Sequence, residues 1–535
     1  MRVERIPATL LVLLLGLSIW GISIAQTPPM SYAQVQPLVT GDEPIVVTRE
    51  TLQTATGPLQ YETRAGRLPI RNELTEQVLG HVFFVAYIAL NRGQDRPLAF
   101  AWNGGPIIPS IYIHTEWLGP KLITRQGIVD NPQTLLQTTD LVFYDPIDTG
   151  FSRPSNAADA SQFMHMKGDV SEAVDSIRAY ERRFGAEDRP KFLIGESYGV
   201  WRACAVAERL AQRKDHLVGA VLVSGDLPGI HMPLPFFDAM HIPARTATAL
   251  YYHRLPPDLQ AHPKRTMERV DAWVRNTYLS ALMHPARLSA AQRAKIVDQL
   301  AGLTGVSAEL INPKTMVMSI AQYLREFLGQ GRTLSDIDTR TTNPHLNNPG
   351  TTRWIGYYLR HELGYSTDLV YLGVEDDGYL PTLGPDSRSM FPRWTYDEAD
   401  ASAAIVSTMI ANNDPKYIAA TMSPWIERAM ALDANLRVFV ATGSYDPLNM
   451  CEGDALMAST LAKGLANRIT TGCYEGGHLM YRDERTRVQL SHDVTRFMRE
   501  SMRNEIPGPL PGRGDPASRT GRDRSGGFSF RTQTY

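Results

Sequence analysis

The chain is 535 residues long, 43% apolar and formally −2 in charge at pH 7, which is apolar material enough for a large buried core. Its basic residues are scattered rather than striped, so the electrostatic footprint of a nucleic-acid binder is missing. No H-E-x-x-H, paired-cysteine metal pattern or Gly-rich phosphate loop occurs, which argues against a metal or other cofactor.

At the N-terminus Arg2 and Arg5 precede an apolar run from Ala8 to Ile22, followed by the small-residue segment Ser23-Ile24-Ala25. This predicts a secretory signal over residues 1–25, cleaved after Ala25, and hence a secreted or periplasmic protein. An uncleaved anchor is the alternative, though the run is short for a bilayer span. The lack of a later long apolar stretch predicts no stable membrane insertion after cleavage. Residues 26–45 read as an extended leader. From 46 to 105 the alternation, notably His81 to Ile88, predicts antiparallel strands that begin a sheet. The strand-like run Pro97–Ala101 leads into Trp102-Asn103-Gly104-Gly105-Pro106.

Val170, Ala173, Val174, Ile177 and Tyr180 recur at helical spacing within 169–184, predicting a helix packed on the sheet. Next come the apolar run Lys191–Ile194, the turn Gly195-Glu196-Ser197-Tyr198-Gly199, a helix over 200–212 and a buried strand over 218–224. The block 228–395 is mainly helical, with helices predicted over 266–282, 290–303 and 315–328. Inserted between strands, it should form a cap on a catalytic domain built from 46–227 and 396–506. Its Phe236, Phe237, Tyr251 and Tyr252 are candidates for a side-chain pocket, with core packing the plainer alternative. Strands follow over 436–441 and 468–474, then a helix over 485–499 with Val488, Val494, Phe497 and Met498 on one face. Residues 507–535, rich in Gly, Pro and Arg, lack apolar periodicity and predict disorder.

The chemistry centres on Ser197. Glycines on both sides permit the tight strand-to-helix turn that lifts a serine hydroxyl above a sheet. A serine is a poor nucleophile without a base beside it. Asp446 follows one predicted strand and His478 another, in Glu475-Gly-Gly-His478. Singly, these read as a turn aspartate and one of thirteen histidines. Together, in the order Ser, Asp, His and each past a strand end, they predict the triad of an α/β-hydrolase. That fold has a mostly parallel central sheet flanked by helices. Backbone N–H groups of Tyr198 and Gly105 are the candidate oxyanion donors; the plainer reading of 103–105 is an Asn-Gly turn. Cys451 and Cys473 flank the segment between Asp446 and His478, and could bridge or stay apart. Cys204 reads as a buried small apolar residue.

Asn103-Gly-Gly-Pro106, Leu118-Gly-Pro120, Asp140 to Pro146, Thr149-Gly-Phe-Ser152, Gly195 to Gly199, Asp446 and Gly477-His478 together resemble the serial signatures of serine carboxypeptidases, most closely the bacterial branch. The resemblance runs from about Val46 to Met502. It implies that Asn103 and Glu196 bind the free C-terminal carboxylate of a peptide substrate, with release of its last residue through an acyl-enzyme. Two carboxyl groups in contact must share a proton, so activity is expected to favour acid pH. The chain departs from the pattern at Ile107-Ile108-Pro109-Ser110, at Trp117 (with Glu116 one place early) and at Asp148. An esterase or acyltransferase with the same triad is the alternative, as is a silent binding protein whose oxyanion loop is altered.

Overall fold

The computed structural model describes residues 43–54, 57–72, 74–93, 95–156, 160–227, 232–342, 354–369, 371–373, 394 and 424–505. The expected signal 1–25, most of the leader and the tail 507–535 lie outside these, as does most of 343–423. No helix among the described residues is long and apolar enough to cross a membrane.

The strands are β1 (Val46–Thr54), β2 (Gly57–Arg71), β3 (Val78–Ala89), β4 (Leu98–Trp102), β5 (Lys121–Thr124), β6 (Gly127–Asp130), β7 (Asp140–Tyr144), β8 (Arg153–Pro154), β9 (Lys191–Glu196), β10 (Leu217–Val223), β11 (Arg437–Gly443) and β12 (Ile469–Tyr474). Ten form one sheet in the order β1-β2-β3-β7-β4-β9-β10-β11-β12, with β8 against β3; β5 and β6 form a separate pair. β1, β2 and β3 are antiparallel, whereas β7, β4, β9, β10, β11 and β12 run parallel. The antiparallel expectation for 46–105 therefore fails at β4, which joins the parallel core. This is the mostly parallel sheet of an α/β-hydrolase.

The central strands read as continuous apolar runs because both faces are covered. Leu98, Phe100, Leu193, Ala220, Leu222, Val438 and Val440 enter one core; Ala99, Ala101, Phe192, Ile194, Val221, Val223, Phe439 and Ala441 enter the other. On the first face lie α1 (Met166–Phe184) and α2 (Tyr198–Arg213). Between β10 and β11 come α3 (Leu234–Met240), α4 (Ile242–Tyr251), α5 (Pro263–Trp273), α6 (Ala290–Thr304) and α7 (Ile320–Glu326). The expected helix over 266–282 is broken by a π-helical turn at Val274–Tyr278. That over 315–328 shrinks to α7, opened by Ser319, whose side chain caps Gln322 N. Phe236 is buried in the core, while Tyr251 is exposed.

α8 (Trp425–Leu432) packs against α2. α9 (Cys451–Thr460) follows β11, and α10 (Glu484–Met502) closes the second face. In α10 the buried stripe is Leu490, Val494, Phe497 and Met498. Val488 is exposed, because it lies two residues from Leu490 and so on the opposite side of the helix. Cys451 at the start of α9 is bonded to Cys473 on β12, with Cα atoms 5.4 Å apart, and Cys204 is buried.

Candidate active site

Strand register brings distant segments to one edge. Trp102 pairs with Gly195, Val223 with Glu196 and with Ala441, and Gly443 with Tyr474. The carboxyl ends of β4, β9, β10, β11 and β12 are thus level, and the loops beyond them carry Asn103, Ser197, Ser224, Asp446 and His478. Ligands of open parallel sheets bind at such an edge.

Ser197 caps β9 and opens α2 with φ 59° and ψ −130°, a left-handed backbone that a residue with a side chain adopts only when its surroundings force it. The turn is closed so tightly that a Cβ on Gly195 would sit 2.0 Å from Gly199 O. Ser197 N donates to Val223 O at 2.9 Å, and Trp102 Nε1 donates to Gly199 O at 2.9 Å, tying the elbow to both neighbouring strands. Tyr198 is the first residue of α2, so its amide lies at the positive end of the helix dipole. Gly105, at φ 110°, turns the loop after β4.

His478 and Asp446 meet in the interior. His478 Nδ1 lies 2.9 Å from Asp446 Oδ2, and both side chains are buried. The Asp446 carboxylate also accepts from Leu448 N at 2.9 Å and Asn449 Nδ2 at 2.8 Å. Asn449 bridges onward to Ser224 O at 3.0 Å, and Ser224 Oγ donates to His478 O at 2.7 Å. Burial alone would hold the imidazole neutral. The charge and hydrogen bond of Asp446, helped by Glu196 and Asp336, reverse this and push its pKa up to about 9.

The other ring nitrogen faces the residue before the serine: His478 Nε2 lies 3.4 Å from Glu196 Oε1. Among the described hydrogen bonds none joins Ser197 Oγ to the imidazole. Glu196 also accepts from Asn103 Nδ2 at 2.6 Å. The Asn103 carbonyl oxygen Oδ1 accepts from Tyr112 N and Ile113 N, each at 3.0 Å. Burial raises the Glu196 carboxyl pKa, against opposing pulls from His478, Asn103 and Arg482.

Several contributors to this geometry are invisible in the one-dimensional pattern. Arg202 of α2 is wholly buried; it pairs with Asp169 at 2.6 Å and donates to Asn103 O at 3.0 Å. The segment after α7 grips the base loop, since His478 N donates to Ile337 O at 2.7 Å, and Thr339 N donates to Tyr445 O at 3.1 Å. Only Asn449, three residues after Asp446 in a turn-rich stretch, left a local signal. Of the sequence departures, Asp148 takes φ 68°, which aspartate tolerates better than most residues. Glu116 is buried in a π-helical turn, His114–Leu118.

The serine carboxypeptidase family model matches residues 55–282, a span that includes the elbow and the Asn103 loop but ends before Asp446 and His478. No curated protein matches the chain. Similar solved structures include Kex1(Δ)p, a prohormone-processing carboxypeptidase from Saccharomyces cerevisiae, at TM-score 0.45 and 15% identity over 82% of this chain and 91% of that one. Proline iminopeptidase from Mycobacterium smegmatis gives TM-score 0.37 and 12% identity over 82% and 98%. A thermostable carboxyl esterase from Bacillus coagulans gives 0.34 and 12% over 85% and 99%. Over residues 55–282 the chain is similar to serine carboxypeptidases, and that match, joined to a mostly parallel sheet with the elbow at its carboxyl edge, makes it a serine hydrolase.

Proposed function

We propose that this hydrolase is a carboxypeptidase that removes the last residue of a peptide through an acyl-enzyme on Ser197. The buried Asp446–His478 pair, with its outer nitrogen turned to the Glu196-Ser197 elbow, is the observation that carries the reading. Ser197 Oγ attacks the scissile carbonyl carbon while its proton passes to His478 Nε2. The carbonyl electron pair moves onto oxygen, facing the amides of Tyr198 and Gly105. Collapse breaks the C–N bond as His478 returns the proton to the leaving amine. Water then repeats the sequence on the ester, releasing the shortened peptide and restoring Ser197. Asp446 keeps Nδ1 protonated and steadies the imidazolium. The imidazole needs only to exchange Glu196 for the adjoining Ser197 as its partner.

In this reading Asn103 and Glu196 receive the substrate's free carboxylate. Residues 46–227 and 396–506 form the catalytic body, and the helices from 232 onward form a cap within the insertion 228–395. The N-terminal run and the Cys451–Cys473 disulfide fit an exported enzyme in an oxidising compartment.

Ser197→Ala should lose turnover and fluorophosphonate labelling while keeping the wild-type melting temperature; residual activity near wild type would refute the serine's role. A peptide with a free C-terminus, compared with its amidated twin, tests the substrate class. The free acid should be strongly preferred, and equal cleavage of both would favour the esterase or acyltransferase alternative.

A further inference from the structure

Glu116 stands one place early for the family's pattern, and the π-helical turn His114–Leu118 shows where that places it. Its buried carboxylate accepts from Arg482 Nε at 2.6 Å, with Nη2 3.5 Å from the second oxygen. Arg482 ends the short 3₁₀ turn Met480–Arg482, four residues after His478. The residue before it, Tyr481, stacks on Trp117 with ring centroids 5.6 Å apart and an interplanar angle of 13°, and its hydroxyl is buried beside the Asn103 side chain. The Arg482 guanidinium lies over the Tyr112 ring at 5.4 Å, and the Tyr112 amide is one of the two that hold Asn103. Asn103, the group assigned to the peptide carboxylate, is therefore bounded by Glu196, Tyr481 and Tyr112; of the two cations nearby, Arg202 is paired with Asp169 and Arg482 with Glu116.

We propose that Arg482 is a specificity-determining residue: by neutralising Glu116 it lets the carboxylate subsite accept a free peptide C-terminus at neutral pH. This deepens the carboxypeptidase reading and rests on it. Three carboxylates, those of Glu116, Glu196 and the substrate, would otherwise crowd one buried region, and each would repel the others in a medium that screens poorly. Glu116 faces Arg482 and, at longer range, Arg487 from the chain after His478, and the Tyr481 hydroxyl feels both its charge and that of Glu196. Glu196 in turn faces His478, Asp446, Arg482 and Asn103. With the guanidinium in place, Glu196 is the one acid there that must hold a proton for substrate to dock. Without it, the charge of Glu116 is left uncompensated beside the subsite.

The test uses the full chain and reads the ratio of kcat/KM for a free-acid peptide to that for its amidated twin, across pH. In Arg482→Met the ratio should fall on the order of tenfold at neutral pH, the equivalent of about 1.4 kcal/mol. It should recover at neutral pH in the double variant Arg482→Met/Glu116→Gln. A merely structural arginine would lower both substrates in parallel, leaving the ratio unmoved at every pH, and that result overturns the proposal. Should the Met variant fail to fold, Arg482→Lys serves: a retained charge should keep the wild-type ratio, and a tenfold loss would overturn the assignment. A wild-type enzyme indifferent to amidation sinks the carboxypeptidase reading and this inference with it. A wild-type enzyme that prefers the free acid, paired with an unmoved variant, sinks Arg482 alone.

Discussion

Glu196 and His478 sit 3.4 Å apart and compete for one proton. Burial raises the carboxyl pKa of Glu196, and Asp446 raises that of His478. With the proton on the imidazole, the base is blocked and the Glu196 carboxylate repels a substrate carboxylate. With the proton on Glu196, Nε2 is bare for Ser197 and the carboxyl can donate a hydrogen bond to the peptide terminus. In the proposed carboxypeptidase reading the productive microstate is the second, and an arriving carboxylate favours it because it penalises the charged form of Glu196. Free-acid peptide cleavage should therefore fall as pH rises through the titration of Glu196, since the docking proton is then lost. Glu196→Gln keeps a neutral donor at every pH and should flatten that limb of the kcat/KM profile, leaving amidated peptides little changed in pH dependence. A Gln variant with the wild-type pH limb would place the titration on another group. The role proposed for Glu196 comes only through the family resemblance, because nothing in spacing distinguishes a carboxyl that donates a proton from a solvated one.

Among the elements, the nucleophile turn and the loop after β4 form one rigid unit. Arg202, fixed by Asp169, holds the Asn103 carbonyl, and Trp102 holds Gly199. The tightest point is Gly104: a Cβ there would lie 2.5 Å from Tyr198 N, 2.8 Å from Glu196 O and 2.9 Å from Ser197 Cβ. Two of those three atoms are backbone, so the loop itself must yield. Gly104→Ala should displace the amides proposed to receive the oxyanion and cut kcat/KM by about a hundredfold, the usual consequence of an ångström-scale misplacement. Its melting temperature should change far less than its activity, because the contact lies at the sheet edge rather than in either core. Activity near wild type would show that the loop is not part of the reacting geometry. The glycine pair was visible in the sequence as a place of close approach, but its partner was not. The buried Arg202–Asp169 pair escaped the sequence reading because an arginine on a helix reads by default as solvated. The Ile337–Thr339 segment escaped it because backbone carbonyls carry no identity.

For the whole molecule, the parallel core was legible because continuous apolar strands such as Val438–Ala441 admit few other readings. The broken helices between β10 and β11 were not, since interruptions like the π turn at Val274–Tyr278 arise from packing rather than periodicity. Equally hidden was the number of carboxyls buried without full compensation. Burial pushes Asp145, Glu181 and Asp226 up to about 7, and drives Glu172 and Asp454 well above the usual carboxyl range. A carboxyl whose folded pKa is raised contributes stability that is complete below its unfolded value and is lost as pH rises through the folded one. His478, raised to about 9, acts in the same direction. His114, which burial lowers to about 3, acts oppositely: its contribution is present above the unfolded value and fades in acid. Near neutrality the first set outnumbers the second, so the folded chain binds more protons than the unfolded one. The melting temperature should accordingly be higher at about pH 6 than at about pH 8, and calorimetry across that interval checks it. A chain that grew more stable toward alkali would mean that these carboxyls are ionised in the fold, paired by contacts stronger than the ones seen around Asp226 and Asp454. Because Asp226 lies next to Asp446 in charge, the same titration should loosen the acid loop first, and amide exchange at Leu448 and Asn449 should quicken before the sheet does.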